Sequence, residues 1–118
     1  MVVRNVSRNT LLAEKCGHAR KFVSRLIGLQ FRKNLPPGHG LLITPCKSIH
    51  TFFMRFPIDV VFIDGDNTVL HILEGIKPWR VSRVVWNSRG VLELPGGVVS
   101  ATGTNVGDKL EFSPVYPH

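Results

Sequence analysis

"CKSIHTFFMRFPIDVVFID", residues 46 to 64, is the stretch whose reading decides the fold. It sets Cys46, His50 and Met54 at steps of four, then places Asp59 inside an apolar run. On a helix, steps of four would stack thiolate, imidazole and thioether on one face, a set suited to Cu(I). On a strand, neighbours in that series stand about 13 Å apart. Ligands of one metal must each lie about 2 to 2.3 Å from it, so a straight strand cannot gather all three. Ile49, Thr51, Phe52 and Phe53 are β-branched or aromatic and favour the strand. The segment therefore reads as β structure, and no metal or other cofactor is expected.

Alternation then assigns the side chains. Ser48, His50, Phe52 and Met54 share one face, and Ile49, Thr51, Phe53 and Arg55 share the other. Neither face is polar, so the strand is expected to be covered on both sides. His50 and Arg55 must then find partners, because a buried polar group without one is costly. Asp59 and Glu93, also set among apolar residues, are the candidates. Either these four form internal ion pairs that fix strand register, or His50, Asp59 and Glu93 converge in a ligand-binding cleft.

Outward from this segment the pattern is of short strands and turns. Val2 to Val6 and Thr10 to Ala13 read as strands around a Ser-Arg-Asn turn. His18 to Ile27 carries an apolar stripe at Ala19, Phe22, Val23, Leu26 and Ile27, with Gly28 as its stop, and predicts a helix. Gly40 to Thr44, Ser48 to Arg55, Ile58 to Ile63 and Val69 to Leu73 read as strands, the last two joined by the hairpin turn Asp64-Gly65-Asp66-Asn67. Val81 to Trp86, Val91 to Leu94 and Lys109 to Phe112 complete the series. The turn before the last of these places Asp108 to bond local backbone amides. The expected fold is mainly β: jelly-roll, sandwich or barrel-like antiparallel sheets with one N-terminal α-helix, in a single domain over residues 1–118.

Composition narrows the class. The chain has 118 residues, 43% hydrophobic and 19% charged, as in a folded globular domain. No apolar run approaches the roughly 20 residues of a membrane helix, and Arg4, Asn5, Ser7, Arg8 and Asn9 interrupt any signal-peptide core. The expected location is the cytoplasm, with no membrane partner and with Cys16 and Cys46 as reduced thiols. The net charge of +7 is concentrated early: eight basic residues against Glu14 alone in the first 33. Such a surface favours anions and weak, non-specific nucleic-acid association.

The pieces "RLIGLQFRKNLPPGHGLLI" (25–43), "SIHTFFMRFPIDVVFIDGDNTV" (48–69), "KPWR" (77–80), "VLELPGG" (91–97) and "VGDKLEF" (106–112) resemble, in order, the bacterial and archaeal family called domain of unknown function 192. Many relatives read FWMKNT followed by Pro-Leu-Asp where this chain reads FFMRFPID, so Phe53 replaces a Trp and Arg55 a Lys. Phe52, Met54 and Asp59 match directly. The resemblance implies a compact, mainly β domain with a helix near its N-terminus. It implies no reaction, cofactor or catalytic residue.

No GxSxG, HExxH, Walker A or GxGxxG motif is present. The expected role is a non-catalytic accessory or binding module for a small anionic ligand, held near His50, Arg55, Asp59, Trp79, Arg80 and Glu93. Trp79 and Arg80 qualify as a stacking ring beside a cation on a loop, the plainer reading being a plug at a strand end. Two alternatives come from other classes. One is a small enzyme using the Asp59 and Glu93 carboxylates. The other is a nucleic-acid-associated protein using the basic N-terminal third.

Overall fold

The computed structural model describes residues 1–20, 35–49 and 56–114. Its strands are β1 (Val2–Asn5), β2 (Thr10–Ala13), β3 (Lys15–Ala19), β4 (His39–Ile43), β5 (Ile58–Ile63), β6 (Val69–Ile76), β7 (Gly90–Pro95) and β8 (Leu110–Ser113). The one helix among the described residues, α1, spans Val98–Thr102.

β5 shows why the domain takes its shape. Its sequence, IDVVFI, is nearly continuous in apolar residues, and every one of its residues is buried. Such a strand needs cover on both faces. It lies in a five-stranded sheet of order β3-β4-β7-β5-β6, while β2-β1-β8 form a second, three-stranded sheet. One face, through Leu42, Val61, Ile63, Leu92 and Leu94, packs on Val3, Leu12, Leu110 and Val99 of the smaller sheet and α1. The other face, through Leu41, Ile43, Ile58, Val60, Phe62 and Val91, is covered by Leu35, Ile49 and Val85 from loops.

The expectation of a mainly β domain built on sheets holds, with two qualifications. β3 pairs with β4 in parallel, so the larger sheet is mixed rather than antiparallel. Neither sheet, as described, closes into a barrel. The expected helix from His18 begins on residues that are strand, because His18 and Ala19 pair with Leu42 and Ile43; its remainder lies outside the described residues. So do residues 50–55 of the expected Ser48–Arg55 strand, and Ser48 and Ile49 are not in a strand. Val81–Trp86 is no strand of either sheet but part of a strap over the larger one.

The Asp64 turn forms as expected. Its Oδ1 accepts from the amides of Asp66 (2.8 Å) and Thr68 (3.0 Å). Asp108 does more than its turn requires. Besides the Asn105 amide (2.9 Å), its Oδ2 accepts from Asn5 Nδ2 and Arg8 Nε, both at 3.0 Å. Burial works against the Asp108 charge, but hydrogen bonds from Arg8, Asn5 and Asn105 outweigh it and lower its pKa. The carboxylate thereby ties the β1–β2 turn to the approach of β8.

Gly90 opens β7 where there is no room for a side chain. A Cβ there would stand 2.8 Å from Thr44 Cγ2 and 3.4 Å from the Ile43 carbonyl oxygen. Gly90→Ala is expected to cost about 1–3 kcal/mol in urea unfolding. Adding Thr44→Ser, which removes the obstructing methyl, should recover part of the loss; no recovery would show that the contact is not the cause.

Candidate functional site

Asp59 and Glu93 stand on adjacent strands, and the register decides whether they meet. In the antiparallel pairing of β5 with β7, Asp59 lies opposite Leu94, and Val60 lies opposite Glu93. Successive residues of a strand point to opposite faces. Asp59 therefore shares the face of Leu94 and Val61, toward the smaller sheet, and Glu93 shares the face of Val60 and Leu41. The two carboxyl groups do not converge, and a paired-carboxylate site between them is ruled out.

Asp59 accepts from three backbone amides. Its Oδ1 accepts from Gly75 N at 2.8 Å; its Oδ2 accepts from Gly97 N at 3.0 Å and Val99 N at 2.9 Å. The register of β5 against β6 slips between Ile58 and Val60, which places Gly75 in the resulting bulge with φ 57°. Gly97 takes φ 99° as the N-cap of α1 and has no side chain with which to cap it. A strand carboxylate thus supplies the cap that the helix lacks. Three amide contacts to Asp59 hold a bulge and a helix end together; its expected ion-pair partners, His50 and Arg55, lie outside the described residues.

Glu93 is different. It is only 5% exposed, and its Oε2 has no hydrogen-bond partner among the described residues. Burial pushes its pKa from 4.5 up to about 7, because the charged form loses its water. Leu41 and Val60 flank it, so the central position of this face is a carboxyl group among aliphatic side chains.

The strap from Trp79 to Arg89 runs over the same face. Its backbone is stitched to the segment after β4: Ser82 N donates to Ile49 O (2.9 Å), Ile49 N to Ser82 Oγ (2.9 Å) and Val85 N to Lys47 O (2.7 Å). Ser88 Oγ donates to Cys46 O at 2.7 Å, and Lys47 Nζ donates to the Trp86 carbonyl. Ser82, Val85 and Ser88 are buried, and the residues between them are exposed. Buried positions every third residue explain why this valine-rich stretch is not a strand, which would bury every second. Trp79 and Arg80 are exposed where the strap begins. Trp79 has φ 64°, a left-handed conformation that costs a bulky residue about 1–2 kcal/mol. His50 and Arg55 lie outside the described residues.

A polar cluster that sequence reasoning missed sits where β3 and β4 end. His18 Nδ1 accepts from Arg20 Nε at 3.0 Å, so Nε2 carries the hydrogen that bonds Thr44 Oγ1 at 2.6 Å. Burial first, and Arg20 second, lower the His18 pKa. In that tautomer His18 is a donor to Thr44 and cannot act as its base. Its only sequence signal was a histidine near a strand end, and it was absorbed into the expected helix. Cys16 and Cys46 are not joined to each other by a disulfide, and burial raises the Cys16 thiol to about 11. A groove of about 260 Å³ between β2 and α1, lined by Leu11, Ala13, Glu14 and Val98, includes none of the candidate residues.

The profile of the family domain of unknown function 192, described as an uncharacterized ACR, matches residues 3–112. The chain belongs to that family. Among curated members of domain of unknown function 192, it is 32% identical to a UPF0127 protein of Pyrococcus furiosus, over 92% of this chain and 96% of that one. It is 33% identical to a UPF0127 protein of Pyrococcus abyssi, over 94% and 97%. A crystal structure of a protein of unknown function from Novosphingobium aromaticivorans shares the fold, with TM-score 0.78 and 23% identity over 94% of this chain and 82% of that one. A second, from Sinorhizobium meliloti 1021 and provisionally named a transcription regulator, has TM-score 0.77 and 27% identity over 93% and 89%. Among the described residues no helix is long and apolar enough to cross a membrane.

Proposed function

We propose that this member of the family is a non-catalytic binding domain for a small anionic ligand, taken up on the Glu93 face of the larger sheet beside Trp79 and Arg80. The observation that carries this reading is the Glu93 Oε2, buried without a hydrogen-bond partner among the described residues. A protonated carboxyl group there can donate a short, charge-assisted hydrogen bond to a phosphate or carboxylate oxygen. The left-handed Trp79 supports the reading, since strain held at a bulky residue is concentrated at ligand clamps. Asp59 takes no part in it, because its oxygens already hold three backbone amides.

The test is a thermal-shift and calorimetric panel of inorganic phosphate, sugar phosphates and dicarboxylates. At least one should raise the melting temperature in proportion to the logarithm of its concentration. Binding should weaken as the pH rises above about 7, where Glu93 ionises, and that dependence should vanish in Glu93→Gln. Trp79→Gly should weaken binding while leaving stability equal or higher, because glycine relieves the strained φ. A panel without effect, or a Trp79→Gly protein that binds as well as the parent, would sink the proposal.

A nucleic-acid role is the second reading, favoured by the provisional name of the Sinorhizobium relative and by the early basic residues. Three of those residues already have intramolecular work: Arg8 pairs with Asp108, Arg4 Nη2 donates to Asn9 and Arg20 Nε donates to His18. Retention of DNA or RNA that falls steeply with salt would favour it over the small-ligand reading.

A further inference from the structure

Beyond Trp79 and Arg80, the outer side of the strap has a surface that the small-ligand reading does not use. Before and between the buried Ser82, Val85 and Ser88, four large apolar side chains are exposed: Trp79 is 58% exposed, Val81 66%, Val84 40% and Trp86 75%. Cations are interleaved with them at Lys77, Arg80 and Arg83, all exposed, and no acid occurs from Gly75 to Leu92. Arg89 is left out of this set because its side chain abuts Gly65 in the acidic Asp64–Asp66 turn. The contacts from Ser82, Val85 and Ser88 to residues 46–49 hold the strap in place before anything binds. Little ordering is then required on contact.

We propose that the strap is a docking surface for an anionic membrane, with Trp86, Val81 and Val84 entering the boundary between headgroups and acyl chains and Arg83 meeting lipid phosphates. Indoles prefer that boundary, and cations beside it are drawn to anionic headgroups. The valines decide against the nearest rival. Single-stranded nucleic acid is held by flat rings that stack on bases, and branched aliphatic side chains offer no such face. The lack of a spanning helix among the described residues is no obstacle, because attachment at the surface needs none.

The experiment uses the whole chain with two sets of vesicles, phosphatidylcholine alone and phosphatidylcholine with phosphatidylglycerol at 3:1. The protein should sediment with the anionic vesicles at low salt, with tryptophan emission shifted to the blue, and should be released at high salt. The double variant Val81→Ser, Trp86→Ser should lose about tenfold or more of this affinity. Arg83→Gln should weaken binding to anionic vesicles and flatten its salt dependence. Because these side chains are exposed, thermal unfolding of the variants should match the parent. Failure to bind anionic vesicles, binding that ignores the double substitution, or tighter binding to a poly-dT strand would overturn the proposal. So would a dimer that the double variant dissociates, since the surface would then belong to a second copy.

Discussion

Asp59→Ala should destabilise the domain by about 3–5 kcal/mol, the largest effect expected of any single substitution outside the aliphatic core. The carboxylate is fully buried and accepts from the amides of Gly75, Gly97 and Val99. Alanine would leave three donors facing a space without acceptors. The β6 bulge and the start of α1 would lose their common anchor together. Asp59→Asn keeps the volume but turns an NH2 group toward one of the donor sets, and should cost less, about 2 kcal/mol. Urea unfolding of the three proteins measures both steps. An alanine variant within 1 kcal/mol of the parent would mean that the amides find other acceptors and that Asp59 is not the cap.

Glu93→Gln should change the pH profile of stability rather than simply lower it. Glu93 binds its proton more tightly folded than unfolded, since its pKa moves from 4.5 to about 7. Between those values the native state holds a proton that the unfolded chain has released, so stability falls as pH rises through this window and levels off above about 7. The full drop is about 3 kcal/mol. Glutamine cannot ionise, and its profile should lack that slope. His18 and His71 act in the opposite sense, because their folded pKa values are lowered and their neutral forms are favoured as pH rises. Both remain in the variant, so the difference between the two profiles isolates Glu93. Parallel profiles from pH 4.5 to 8 would show that Glu93 is solvated or paired.

The strands that carry the sheets were legible because their residues had few alternatives. IDVVFI can hardly be anything but a doubly covered strand, and Asp64-Gly65-Asp66-Asn67 announces its hairpin. What escaped depends on partners distant in sequence. KCGHA has little strand propensity and becomes β3 only by pairing in parallel with β4. VVSAT is a poor helix former, with β-branched residues at both ends, yet forms α1 because a carboxylate from β5 caps it. The Trp79–Arg89 strap has the composition of a strand and is prevented from being one by its buried positions at Ser82, Val85 and Ser88.

The candidate site was legible by type and not by geometry. That Asp59 and Glu93 would be buried acids followed from their apolar neighbours. Their placement on opposite faces follows from a register between β5 and β7, strands separated by a hairpin and the strap, and single-sequence patterns do not encode it. Half of the dilemma posed by the opening segment is thereby decided: Asp59 locks the structure, and Glu93 is left as the buried group without a described partner.

The strand order carries a consequence for how the protein is made. β7, residues 90–95, lies between β4 and β5, and β1 pairs with β8 at residues 110–113. As a ribosome releases the chain from its N-terminus, the β5–β6 hairpin can form early, but β4 and β5 wait with unfilled edges until β7 emerges. The smaller sheet waits longer, for β8. Folding must therefore wait for residues 90–95 and then 110–113 to be made, leaving unpaired, apolar strand edges exposed in the nascent chain during that delay. Chaperone contact is expected to fall in that interval.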